Sequence, residues 1–358
     1  MFRNVLILFG FSLVLASWWL WGRSSGSLDV KTPLAEKQRG VSWVAGKQIH
    51  SDMVTPLRNF NVNWMVQTPF GWQKDEHSPQ VITNTGSHVF WGERDEGLIE
   101  TARMARENGV KVLLKPHLWI TRPGKGKWRT HIEMKTEEDW QAWFASYRSF
   151  ILHYARLAES HGMEALCVGV ELHTTAVQRE KDWRQLIQEV RSVYSGKLVY
   201  AANWYMAYEE IKFWDMLDWI GIQAYFPLSS KTNPDLAELK QGWVTHRDAI
   251  QAVSRKYGKP VVFTEIGYRS DENAAVEPWV WPSKPQPAAK EDLETQVRCY
   301  ESFFQTFWHE PWFAGAYIWK WFPASDVSPG HFSQNPSRNF TPQFKPAQEV
   351  LLKWYGKE

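Results

Sequence analysis

From residue 40 onward, short apolar runs alternate with stretches whose apolar residues recur every three or four positions. Eight runs stand out: Gly40–Ala45, Trp64–Pro69, Val110–His117, Ala165–Leu172, Lys197–Asn203, Trp219–Tyr225, Pro260–Gly267 and Phe313–Trp321. Each is near-continuously apolar and rich in Val, Ile, Trp or Phe, as a strand covered on both faces should be. The intervening stretches carry helical stripes. Trp140, Trp143, Phe144, Tyr147, Phe150, Ile151, Tyr154 and Ala158 make the longest. Leu293, Val297, Tyr300, Phe304 and Phe307 repeat the spacing near the C-terminus. Leu98, Ala102 and Ala105 mark an earlier helix, and Ile187, Val190 and Tyr194 a middle one. Pro346 opens a last helix with Val350, Leu351 and Trp354, proline being suited to a first turn.

Eight strand–helix units in succession predict an α/β fold, a (β/α)₈ barrel rather than an open sheet. Helix-to-strand links are short, as at Glu107-Asn108-Gly109, Tyr194-Ser195-Gly196 and Tyr257-Gly258-Lys259. Strand-to-helix links are long, over residues 70–92, 121–137, 269–289 and 322–345. In such barrels the active site is built from the strand-to-helix loops, so this asymmetry indicates the functional end.

Before the barrel, Val5 to Gly22 is apolar apart from Ser12 and Ser17, with Trp18, Trp19 and Trp21 near its outer end. Residues 1–27 read as a secretory signal or a single-pass membrane anchor. Residues 28–39 read as a polar linker, and 40–358 as the barrel domain. Either reading of the first segment implies export: periplasmic, secreted, or anchored facing outward.

Composition narrows the function. Lys and Arg total 41 against 39 acidic residues, a net charge of +2, which gives no basic field for nucleic acid. Two cysteines rule out a disulfide scaffold and a Cys₄ zinc site, and Cys167 and Cys299 are expected as free buried thiols. Tryptophan is abundant, 23 in the chain. Most should fill core, but some can offer flat apolar faces to a flat ligand.

The sharpest chemical feature is a glutamate at each of two strand tips, Glu171 after Leu166–Val170 and Glu265 after Val261–Thr264. These are the fourth and seventh runs, nearly opposite in a ring of eight. A carboxylate among apolar strand residues is costly to bury without a partner or a task. Two carboxylates facing across a cleft are what glycoside hydrolysis requires: one protonates the leaving oxygen, the other attacks or activates water. Polar or aromatic tips at the same end include Trp43, Lys115, His117, Asn203, Trp204, Tyr225 and Trp319, and Trp281 lies on a long loop of that end. Hydroxyls need hydrogen bonds and pyranose faces need rings.

Glutamates ending the fourth and seventh strands resemble the clan of retaining barrel glycosidases. Within it, Gly40-Val41-Ser42-Trp43, Leu114-Lys115-Pro116-His117, Val168-Gly169-Val170-Glu171-Leu172, Phe263-Thr264-Glu265-Ile266-Gly267-Tyr268 and Phe344-Lys345-Pro346-Ala347 resemble glycoside hydrolase family 113. The family acts mainly on β-1,4-mannan. The resemblance implies Glu171 as acid/base and Glu265 as nucleophile, with Tyr225 hydrogen-bonded to the nucleophile. It implies Trp319 as the floor of the cleavage subsite, and Trp43, Lys115, His117 and Asn203 as sugar contacts; Trp204 and Trp281 are added as aromatic contacts. Many clan members carry Asn just before the acid/base, where it holds the sugar 2-hydroxyl; here Val170 stands there. Another residue must then do that work, with Asn203 and His117 as two candidates.

Three rival readings stand against this one. A catalytically silent carbohydrate-binding barrel would use the tryptophans but needs neither glutamate, and a glycosidase of the same clan could act on another β-glycan. A metal-dependent hydrolase could draw on His50, His77, His88, His117, His131 and His173, yet no strand carries a His-x-His pair. No phosphate loop or dinucleotide fingerprint is present. The expectation is a monomer with a polysaccharide or oligosaccharide substrate, no cofactor and no metal.

Overall fold

The computed structural model describes residues 36–44, 46–83, 86, 89–205, 208–281, 289–324 and 339–357. The expected signal or anchor, most of the linker and Ala45 lie outside the described residues. Among the described residues no helix is long and apolar enough to cross a membrane.

The strands are β1 (Gln38–Trp43), β2 (Trp64–Gln67), β3 (Phe70–Gln73), β4 (Val81–Thr83), β5 (Lys111–Leu114), β6 (His117–Ile120), β7 (Ala165–Val170), β8 (Lys197–Asn203), β9 (Trp219–Gln223), β10 (Val261–Ile266) and β11 (Phe313–Trp321). The helices are α1 (Ser51–Val54), α2 (Pro56–Asn59), α3 (Asp95–Glu107), α4 (Glu137–Ser160), α5 (His173–Gln178), α6 (Glu180–Val193), α7 (Leu236–Tyr257), α8 (Leu293–Phe307) and α9 (Ala347–Tyr355). Eight parallel strands close into a barrel in the order β1-β11-β10-β9-β8-β7-β5-β2. β1 begins at Gln38, inside the segment read as linker.

Every residue of β7 and β10 is buried, because helices cover the barrel outside while side chains fill it inside. The inner layer gathers Val66, Leu113, Ala165, Cys167, Val199, Ala201, Val262 and Ala314 around Trp64 and Tyr317. Trp64 meets Trp219 and Tyr317 edge to face at 6.0 and 6.4 Å. The lower barrel is therefore packed solid, and a ligand can enter only from the other end. Outside, α4 places its stripe on the barrel, with Trp143 and Tyr147 stacked at 4.9 Å. Its start is capped by Thr136, whose hydroxyl accepts from the Asp139 amide at 3.1 Å, with three acidic residues in the first turn. α7 opens with a reciprocal Asp235–Glu238 capping box and ends at Gly258 with φ 61°. Cys167 and Cys299 are free and buried, as expected.

Two features depart from eight equal strand–helix units. Residues 204–218 hold, among those described, only the single 3₁₀ turn Trp214–Met216. Phe213 and Trp214 do the covering there, Phe213 stacking on Trp183 at 5.6 Å and both meeting Tyr200 of β8. Second, the run read as one strand over Val110–His117 is two. Proline has no N–H for a ladder and restrains its predecessor, and Pro69 and Pro116 each stand between strands. The chain leaves the barrel there, and β3 and β6 continue in parallel, joined by antiparallel β4, as a side sheet in the order β4-β3-β6.

One position makes the barrel closure testable. Gly315 has φ 138°, and a Cβ there would stand 2.2 Å from the Gln38 carbonyl oxygen across the β1–β11 seam. Gly315→Ala is expected to lose more than about 2 kcal/mol in chemical denaturation, since both backbone and seam must shift.

Candidate active site

Two irregularities bring the strand-tip glutamates to one place. In β10, Val262 packs inside the barrel and Phe263 outside against Trp243 and Phe307. Strict alternation would send Glu265 outward as well. Instead Phe263 pairs with Ile222 but Glu265 with Gln223, so β10 holds one extra residue. This bulge aims the Glu265 carboxylate into the barrel mouth. β7 carries a matching slip, Cys167 pairing with Val199 and Val170 with Ala201. Glu171 then adopts φ 56°, a left-handed conformation worth about 1–2 kcal/mol of strain for a residue with a Cβ. Its amide still bonds the Ala201 carbonyl at 2.8 Å, which holds the turn in place.

Both glutamates line a cleft of about 1100 Å³ at the C-terminal end of the barrel. They are 6% and 5% exposed, so each charge depends on its neighbours rather than on water. Those neighbours differ. The Lys115 ammonium donates to Glu265 Oε1 at 2.6 Å and to the Thr264 carbonyl at 3.0 Å. The Tyr225 hydroxyl donates to Glu265 Oε2 at 2.8 Å. Burial, then the Glu265 charge, holds the Tyr225 hydroxyl well above its ordinary pKa, so it stays a donor. Glu171 instead accepts from the Arg129 guanidinium on a single oxygen, Oε2, at 3.0 Å from Nε and 2.5 Å from Nη2. Burial raises its pKa above the usual carboxylate value; the Arg129 charge opposes this and the Glu265 charge adds to it. Two carboxyls in one cleft thus have different surroundings: Glu265 accepts from a lysine and a tyrosine, and Glu171 has a raised pKa.

Of the other expected residues, His117, Asn203, Trp204, Trp281 and Trp319 line the same cleft. His117 is 4% exposed, and burial, followed by the Lys115 and Arg129 charges, lowers its pKa well below the ordinary histidine value. It is a neutral imidazole whose Nε2 has no hydrogen-bond partner among the described residues. Asn203 donates to the Thr130 hydroxyl at 3.1 Å. Trp204 stacks with Trp279, and Trp281 with Phe340, at 5.0 and 5.4 Å. Lys320, joined to Trp319 by a cis peptide, lies 4.8 Å from the Trp281 ring. Two residues are placed differently from expectation. Lys115 is 0% exposed and bonds to Glu265, and it is not among the residues lining the cleft. Trp43 is buried in the main core, paired in register with Trp321. Val170 packs inside the barrel and offers the cleft no polar group. Among the described residues no group of His, Cys, Asp or Glu is arranged to hold a metal ion.

The same architecture recurs among known proteins. The model of Glycoside Hydrolase Family 113 matches residues 38–335. The chain belongs to glycoside hydrolase family 113. Family members of known structure agree. A family-113 β-mannanase from Alicyclobacillus acidocaldarius, solved in complex with ManMIm, is 27% identical, covering 89% of this chain and 97% of its own, with a TM-score of 0.73. A family-113 β-1,4-mannanase is likewise 27% identical over 90% of this chain and all of its own, with a TM-score of 0.73. The β-glucuronidase of Ruminococcus gnavus shares the fold alone, at 14% identity and a TM-score of 0.56 over 49% of its chain. No curated protein sequence matches this chain.

The cleft of this glycoside hydrolase also holds residues that the sequence does not single out. Arg129 sits in a 3₁₀ turn, Arg129–His131, within the long polar segment before α4. Nothing in its spacing sets it apart from Arg122, Lys125 and Lys127 nearby, and only the folded loop brings it to Glu171. Trp128, Tyr205, Trp279 and Phe340 complete the aromatic wall. Their one signal in the sequence is a place on strand-to-helix segments.

Proposed function

We propose that this family-113 hydrolase cleaves β-1,4-linked mannan-type glycans with retention, through a two-glutamate double displacement. The observation that carries this reading is the unequal pair in one cleft. Glu171 has a raised pKa, while Glu265 accepts from an ammonium and a phenol, donors that suit a charged carboxylate. In the first step Glu171 gives its proton to the glycosidic oxygen as the bond to C1 breaks. Glu265 attacks C1 and forms a covalent glycosyl–enzyme. The Glu265 charge is then gone, which removes one influence that raises the Glu171 pKa. Glu171, now a carboxylate, takes a proton from water as that water attacks C1 and releases Glu265. Tyr225 keeps the nucleophile oriented, and Lys115 neutralises it from below. In the absence of an asparagine at position 170, His117 Nε2 and Asn203, which line the cleft, would meet the sugar 2-hydroxyl, and Trp319 would offer a ring beneath the reacting sugar. The mannan substrate is supported by the β-mannanase relatives at 27% identity.

Product analysis on β-mannan, glucomannan, xylan and cellulose tests the reading. Mannan and glucomannan should be cut, and the first reducing ends seen by proton NMR should be β anomers. Early α anomers would refute retention, and sugar release from xylan or cellulose alone would refute the substrate.

A further inference from the structure

We propose that a second aromatic hollow, on the outer face of the side sheet, binds the distal part of the same glycan chain that enters the cleft. This rests on the glycan reading above. Side chains alternate along strands, and the side sheet has two distinct faces. Gly71 and Gln73 face α4, where a Cβ at Gly71 would meet Phe150 and Gln73 accepts from the Trp143 indole at 2.9 Å. The pairings Phe70–His117, Trp72–Trp119 and Trp72–Ile82 put those five side chains together on the opposite face. His117 and Phe70 stand in the cleft. Phe70, Trp72 and Trp119 continue into a neighbouring hollow of about 410 Å³, completed by Val89, Phe90 and Glu93. Phe70 and Trp119 border both spaces, so the hollow adjoins the cleft that holds Glu265.

The lining identifies the occupant. Trp119 and Phe90, which line it, are 51% and 64% exposed, and Ile82, paired with Trp72 on the sheet, is 54% exposed, in a protein whose other large rings are mostly buried. A cluster of exposed apolar groups on a soluble surface marks a binding site more often than chance. Phe70 meets Trp119 and His117 edge on, at 6.3 and 5.4 Å, so the rings form a stepped path rather than a closed stack. Two polar groups interrupt it. The Trp72 indole N–H is out of solvent with no acceptor among the described residues. Glu93 is half-buried, and burial raises its carboxyl to about 7, where it can donate as well as accept. Flat apolar faces with sparse neutral hydrogen-bonding groups match a chain of pyranose rings. Among the described residues no basic side chain lines the hollow, which disfavours an anionic ligand.

The test is calorimetry with full-chain Glu265→Gln, which cannot turn over, and the double variant Glu265→Gln/Phe90→Ala, using β-1,4-mannohexaose and mannobiose. Phe90 is exposed and outside the cleft, so its loss leaves the fold and the reacting groups intact. The double variant should bind the hexaose roughly fivefold more weakly, the scale of one lost ring contact, with mannobiose unchanged. Equal hexaose affinity in the two proteins, parallel loss for both sugars, or no hexaose binding would overturn the proposal. Mannan hydrolysis by the unmodified chain is scored separately. Chain-length-dependent binding without hydrolysis would sink the proposed reaction while leaving the hollow standing.

Discussion

Glu265→Gln is expected to lower turnover on β-mannan by at least about three orders of magnitude, because the variant has no nucleophile for the first displacement. Initial rates on the polymer measure this directly. The amide oxygen can still accept from Lys115 while the amide NH2 donates to the Tyr225 hydroxyl oxygen, so the barrel should remain folded by circular dichroism. Glu265→Ala provides the contrast. It strips the partner from an ammonium that is 0% exposed, and breaking a buried pair on one side typically costs about 3–5 kcal/mol. Both variants should be inactive, but only the alanine variant should melt much earlier. Near-normal rates in the glutamine variant would dispose of the double displacement.

Glu171→Gln should fall by about 10²–10⁴-fold on β-mannan, the usual contribution of a positioned general acid. On an aryl mannoside with a good leaving group, the first step needs no proton, so the variant should still give a burst of released phenol before the second step stalls. The alkaline limb of kcat/KM should also vanish. On the proposed reaction that limb should report loss of the Glu171 proton and should lie above the ordinary glutamate range, because burial disfavours the carboxylate. The same shift carries a stability consequence of definite sign. The folded-state pKa is raised, so the protonated group contributes stability that is fully present at low pH. That contribution is lost as pH rises from the ordinary glutamate range through the raised value. Glutamine mimics the protonated form. The variant should therefore melt like the unmodified protein near pH 4, about the ordinary glutamate pKa, and higher than it at neutral pH. Equal melting temperatures at both pH values would show that Glu171 carries no such penalty. An acid/base that weakens the fold for the sake of its reaction is a familiar trade.

The site was only partly legible. Glu171, Glu265, Tyr225, His117, Asn203, Trp204, Trp281 and Trp319 all reach one cleft, because a residue at the C-terminal tip of a barrel strand has few other places to go. The same logic assigns Trp43 and Lys115 to that surface, and neither is among the residues lining the cleft. Strand-tip position sets the end of the barrel but not the depth, which depends on where each strand stops. The side sheet was hidden within runs that read as simple strands, its two entries marked only by Pro69 and Pro116. Arg129 had no signal, since a charged residue in a polar loop looks the same whether it faces water or a carboxylate.

The order of apolar runs, their near-continuous hydrophobicity and the unequal loop lengths determined a closed parallel barrel and its functional end. These are local regularities, and each follows from what a strand covered on two faces must contain. Tertiary structure alone decided the chemistry of the two carboxyls. A one-residue bulge turned Glu265 inward, a left-handed backbone turned Glu171 into the cleft, and chain segments up to about 150 positions apart supplied Lys115 and Arg129. Proton affinity depends on burial and on charges within a few ångströms, and no spacing along the chain encodes those distances.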